Sequence, residues 1–168
     1  MQRRNSCLQK SGTGFMSSAQ LHDSAPSAHQ YATFHVSGLF FGVEVRKVQE
    51  VLCAQQMTRV PLAPDVIRGL INLRGQIVTA VDMRRRLELP PPPEGREPMN
   101  VVLRAEEGAV SLLVDEIGDV LEVPSSGFEA PPPNLPAAQR QLIQGVYKLD
   151  DRLLLVLACE HVLDLAKT

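Results

Sequence analysis

The chain has 168 residues, 44% of them apolar and 21% charged, with a formal net charge of −2 and a pI near 6.1. This is the mix of a soluble globular protein, sized for one domain or for two small halves around a shared core. It excludes a polycation held to nucleic acid by a general basic field, and no apolar run approaches the ~18 residues of a membrane span.

Residues 1–29 are rich in Ser, Gly, Ala, Gln and His and read as a disordered leader, with Met16 as an alternative start. Arg3 and Arg4 precede no apolar stretch, so no secretory signal is expected and the cytoplasm is the expected compartment. From Tyr31 the pattern changes. Tyr31 to Val36 and Leu39 to Val45 predict two strands around a Ser37-Gly38 turn. Val45, Val48, Val51 and Leu52 suit a helical turn running into a strand, and Met57 to Val60 predict another strand ended by Pro61. Leu70 to Leu73 and Gln76 to Val81 predict a hairpin around Arg74-Gly75, followed by a short helix, Met83 to Leu87, capped by Asp82.

Pro90 to Pro93 begin a stiff linker over 90–98 that divides the domain 30–168 into approximate halves, 30–89 and 99–168. Asn100 to Arg104 and Val110 to Val114 predict the next hairpin, and Val120 to Val123 a further strand. A second Pro-rich loop spans Pro131 to Pro136. Gln144 to Leu149 and Arg152 to Leu157 then form a hairpin, and Glu160 to Leu165 a terminal helix.

The halves are related by an ungapped repeat. Val66 to Leu87 matches Leu142 to Leu163 at an offset of 76, with identity at Ile67/Ile143, Gly69/Gly145, Leu73/Leu149 and Leu87/Leu163. Such a repeat points to two like structural units. Val43-Glu44 with Val48 to Val51 also matches Val114-Asp115 with Val120 to Val123 loosely. Short strands with short turns at regular spacing argue for small β-barrels or sandwiches.

Chemistry-bearing motifs are sparse. Cys7, Cys53 and Cys159 are odd in number and outside any CxxC pair, so no disulfide framework or zinc site is expected, and Cys53 and Cys159 read as core residues. Arg84-Arg85-Arg86 reads as a solvated helix face, and Asp115, Glu116 and Asp119 as solvated strand ends without a calcium-loop spacing. His22, His29, His35 and His161 show no HExxH spacing, and phosphate-binding and nucleophile-elbow motifs are lacking. No cofactor, metal or catalytic residue is expected. Gly69 and Gly75 read as structural turn residues. Arg74 occupies a turn position where the second copy has Asp150, so arginine is not needed merely to build the hairpin.

Four segments in order resemble one family. Gly69 to Asp82 (GLINLRGQIVTAVD) is similar to the signature of the CheW family of chemotaxis coupling proteins. Phe41 to Val51, Leu113 to Val120, and Gly145 with Asp150 to Leu157 resemble its other segments, so that roughly Tyr31 to Leu165 is covered. The resemblance implies an all-β fold with short helices: two SH3-like, five-stranded barrels sharing a hydrophobic core. It implies a non-catalytic scaffold that joins the cytoplasmic tip of chemoreceptors to the regulatory domain of a CheA-type histidine kinase, and that can enter rings in receptor arrays. Carried over by position, the receptor groove comprises Val48, Glu50, Ile117 and Val120, with Arg74 nearby and able to pair with Glu50. The Pro-rich segments and the leader depart from the family pattern. Rival readings are an adaptor of a non-flagellar pathway such as surface sensing or pilus motility, an SH3-like enzyme or nucleic-acid-binding protein, and a kinase fragment. The last two lack the expected polar pocket, basic face, or ATP and phospho-acceptor motifs.

Overall fold

The first hairpin pairs β1 (Ala28–Val36) with β2 (Leu39–Glu44) in a computed structural model that describes residues 27–164. Ser37 and Gly38 close it with φ of 52° and 79°. Two successive left-handed residues give the tight turn whose twist matches its strands. The expected leader lies outside the described residues except at its end, where Ala28 and His29 already belong to β1 and pair with Pro124 and Val123.

A 3-10 turn at Val45–Lys47 leads into β3 (Val48–Leu52). The expected strand at Met57 to Val60 shrinks to one bridge between Thr58 and Leu70, because Pro61 cannot donate to a continuing ladder. β4 (Ile67–Leu73) and β5 (Gln76–Asp82) form the repeat's first hairpin. The Asp82 carboxylate accepts the Arg85 N–H at 3.2 Å and caps α1 (Met83–Arg86).

Beyond the Pro-rich linker, β6 (Met99–Ala105) and β7 (Gly108–Val114) pair, and β8 runs from Glu116 to Pro124, twice the expected length. β9 (Phe128–Glu129) and α2 (Ala137–Leu142) are elements the sequence reading missed. Both are too short to carry a visible period. β10 (Ile143–Lys148), β11 (Leu153–Leu157) and α3 (Cys159–Leu163) complete the second repeat copy.

The strands form two sheets, ordered β8-β1-β2-β11-β10-β9 and β3-β6-β7-β5-β4. Neither sheet belongs to one half of the sequence. Each takes a hairpin from one half and the remaining strands from the other. The β1–β2 hairpin joins β8 to β11, through β2 running parallel to β11, and the β6–β7 hairpin is likewise bracketed by β3 and a parallel β5. The halves thus exchange strands reciprocally, and the repeat describes the exchanged unit.

Both faces of most strands are buried, which explains their continuous apolar runs. Along β7, Ala109 and Leu113 face a core inside the five-stranded sheet with Ile71 and Val78, whereas Leu112 and Val114 face the central core. Along β11, Leu154 and Val156 join Tyr31 and Tyr147, whereas Leu155 and Leu157 turn to the centre. Phe34, Phe41, Met83 and Leu103 lie in that central core, so the two sheets share it. Cys159 is buried there, as expected; Cys53 is only half-buried, stands outside all three clusters and is not a free thiol.

The conserved spacing of the repeat has a physical cause. Both copies break register at the same place, between Ile67 and Gly69 and between Ile143 and Gly145. A Cβ on Gly69 would lie 2.6 Å from the Thr58 carbonyl oxygen, and one on Gly145 would lie 2.2 Å from Phe128 Cζ. Each glycine therefore admits a flanking segment onto its hairpin. Gly69 is accordingly a bulge residue inside β4, and the expectation that it forms a turn is corrected.

Candidate functional site

The groove residues singled out from sequence fall on two edge strands and one turn. β3 is an edge of the five-stranded sheet and β8 an edge of the six-stranded one. Both break register against their neighbours, β3 between Val48 and Glu50, and β8 opposite Ala32 and Phe34. Bulges twist an edge and re-aim its side chains.

Val48 is half-buried and packs against the central core, as does Ile117 on β8. Val120, opposite Ala32, is 59% exposed. At Gly118 strands β8 and β1 approach so closely that a Cβ would lie 2.4 Å from the Thr33 hydroxyl oxygen. That approach lets the Thr33 hydroxyl donate to the Asp119 carbonyl at 2.5 Å, which holds the bend just before Val120.

Arg74 and Gly75 close the β4–β5 hairpin with φ of 52° and 88°. The Asn72 side-chain carbonyl accepts the Gly75 N–H at 2.9 Å and fixes the turn. Gly75 is thus a turn residue, as expected. The Arg74 guanidinium donates to the Glu50 carboxylate. The second copy builds its corner differently: Leu149 donates to the Arg152 carbonyl at 2.9 Å across Asp150-Asp151, and no left-handed residue is needed.

The structure joins Glu50 to Arg74 and places Ile117 and Val120 on one strand. Three open clefts of the described part are lined by other residues than Val48, Glu50, Arg74, Ile117 and Val120. The candidate surface is formed by the edges of β3 and β8, a geometry suited to a macromolecular partner.

Two buried charges escaped the sequence reading. Arg84 is 8% exposed, so it does not belong to a solvated arginine face. Its guanidinium forks onto Asp115, Nε to Oδ1 at 2.9 Å and Nη2 to Oδ2 at 2.6 Å, while Nη1 donates to the Pro90 carbonyl at 2.6 Å. Burial pushes the Asp115 carboxyl up, but hydrogen bonds from Arg84 and the Ser37 N–H, with the charges of Arg84 and Arg96, outweigh it and hold the group below the usual carboxylate range. Glu116 pairs instead with Arg96. The acidic cluster is thus dispersed, and among the described residues no group of three His, Cys, Asp or Glu could hold a metal. The charge reversal between Arg84 and its repeat counterpart Glu160 was the one sequence signal that these positions differ.

Two strand-exchanged sheets around one shared core, with a bulged edge strand on each, define a modular β scaffold. The chain belongs to the family defined by the CheW-like domain, whose model matches residues 30–167. It is 32% identical over 131 residues to the chemotaxis protein CheW of Bacillus subtilis, covering 78% of this chain and 84% of that protein. It is also 27% identical over 114 residues to the protein PilI of Pseudomonas aeruginosa, covering 68% of this chain and 64% of PilI. The crystal structure of the scaffolding protein TtCheW from Thermoanaerobacter tengcongensis superposes with a TM-score of 0.70 at 23% identity, covering 78% of this chain and 89% of that one. That likeness fixes the fold as the two-subdomain β architecture expected from sequence.

Proposed function

We propose that this protein is a chemotaxis coupling scaffold that joins the cytoplasmic tips of chemoreceptors to the regulatory domain of a CheA-type histidine kinase. It works by binding and by transmitting position, with no bond chemistry of its own. Membership of the CheW-like family carries this reading. The edge-strand surface supports its receptor half. A receptor helix offers an apolar stripe, and Val48, Ile117 and Val120 offer apolar contact beside the Glu50–Arg74 pair. No described helix is long and apolar enough to cross a membrane. In this reading the protein acts in the cytoplasm, reaches receptor arrays through its partners and enters rings there.

The deciding experiment is a pull-down with a receptor cytoplasmic-tip fragment and a kinase regulatory domain from the same genome. Binding to both is the expected result, and binding to neither overturns the proposal. The likeness to PilI favours one second reading, an adaptor of a pilus-motility pathway with the same architecture and different partners. Pull-downs against the receptors and kinases of each chemosensory cluster separate the two.

A further inference from the structure

The two sheets are connected at two crossovers, and the crossovers are held unequally. In the first, the chain leaves β2 through the 3-10 turn at Val45–Lys47 and enters β3 in the other sheet. In the second, β7 ends at Val114 and β8 begins at Glu116, so Asp115 alone carries the chain from one sheet to the other.

The first crossover is held by two long, exposed contacts: Lys47 Nζ to Glu160 Oε1 at 3.5 Å, with the Glu160 side chain 83% exposed, and Arg104 Nη1 donating to the Arg46 carbonyl at 3.4 Å. The second is gripped from several sides. Asp115 takes both fork bonds from Arg84 and a third from the Ser37 N–H at 2.7 Å, and its own N–H donates to the His35 carbonyl at 2.9 Å. Arg84 in turn holds the Pro90 carbonyl of the linker. The β1–β2 turn, α1, the linker and the crossover thus meet at the Arg84–Asp115 pair. Arg84 and Glu160 are repeat counterparts, so equivalent positions bear opposite charges and serve opposite crossovers. A buried fork-to-fork pair fixes direction as well as distance, whereas an exposed ammonium–carboxylate contact fixes little.

We infer that Arg84 and Asp115 are positioning residues for partner binding: their latch sets where β8 departs from the crossover, and hence where Ile117 and Val120 stand. Ile117 is two residues beyond Asp115, too near to move independently of it. The inference rests on the receptor surface proposed above. It assigns rigidity to the β8 side of that surface and compliance to the β3 side.

The test compares Arg84→Lys, which keeps the charge but not the fork, Asp115→Asn, which keeps the shape but not the charge, and Lys47→Ala at the other crossover. Amide hydrogen exchange across Glu116 to Leu121 reads the position of β8 directly. Binding to a receptor-tip fragment and to a kinase regulatory domain reads its consequence. Arg84→Lys is expected to fold, to speed exchange in β8 but not in β10 and β11, and to weaken receptor binding roughly tenfold while the kinase domain binds within about twofold of wild type. Lys47→Ala is expected to change neither affinity. Asp115→Asn replaces Arg84→Lys if the latter does not fold. Unchanged β8 exchange in a folded variant overturns the inference, as does an equal loss of both partners with exchange raised throughout. If Val120→Asp binds the receptor fragment normally while Arg84→Lys speeds β8 exchange, the receptor surface is wrong and the latch as the determinant of β8 position is right.

Discussion

Arg74 and Glu50 meet although β3 and the β4–β5 hairpin stand at opposite ends of the five-stranded sheet. Their contact marks where that sheet curls back toward itself. It also ties the turn that distinguishes the first repeat copy to one of the two candidate edge strands. The Arg74 side chain is 78% exposed and that of Glu50 18%, so the pair sits at the rim of the fold. Its contribution to stability is expected at about 0–1 kcal/mol. Arg74→Glu and Glu50→Arg should each weaken receptor-tip binding, and the charge-swapped double variant should recover more affinity than either single variant. A titration of all three against one receptor fragment checks this; no recovery in the double variant removes the pairing from the mechanism.

Val120 is the sharper test of the surface itself. Its exposure means that Val120→Asp buries no charge and should leave the melting temperature near wild type. Receptor-tip affinity should fall by about tenfold or more, the loss of an apolar anchor worth roughly 1–2 kcal/mol. Wild-type affinity in the folded variant would move the receptor site elsewhere. Val48 and Ile117 are poorer probes, because both pack against the central core and their substitution mixes binding with stability.

The two repeat glycines should fail alike. Gly69→Ala places a methyl 2.6 Å from backbone oxygen at Thr58, and Gly145→Ala places one 2.7 Å from the Glu129 carbonyl and against the Phe128 ring. Each should destabilise by about 1–3 kcal/mol, since backbone must shift to make room. Gly75→Ala meets nothing within 4 Å and strains only its φ of 88°, costing about 1 kcal/mol. Urea melts of the three variants test the ranking.

The Arg84–Asp115 latch has a pH signature. The Asp115 carboxyl is held below its ordinary range in the folded state. Stability from this group is therefore fully present above the unfolded carboxylate value, about 3.9, and is lost as pH falls through the depressed folded value. Melting temperature against pH should fall more steeply below about pH 4 for the wild type than for Asp115→Asn. At neutral pH Asp115→Asn should be the less stable protein, because the buried Arg84 loses its counter-charge. Parallel acid limbs for the two proteins would contradict the assignment.

Local features were legible without coordinates wherever one residue type answers one local need. Ser37-Gly38 and Arg74-Gly75 announce tight turns, Asp82 announces a cap, and the repeat announces two equivalent hairpins. Gly69 and Gly145 were visible as repeated identities, but their reason was not, because the Thr58 carbonyl and the Phe128 ring that press on them arrive from other segments. Arg84 and Asp115 looked like surface charges for the same cause: a string of three arginines does not say which one turns inward.

The sequence by itself determined most of the strands, the duplicated hairpin and the family. Only the tertiary structure decided that the halves exchange strands, that β3 and β8 lie at sheet edges, and that one crossover is locked while the other is tethered. The division is physical. Turns, caps and alternation are set by neighbours along the chain, whereas strand partners and buried ion pairs are set by which distant surfaces exclude water together.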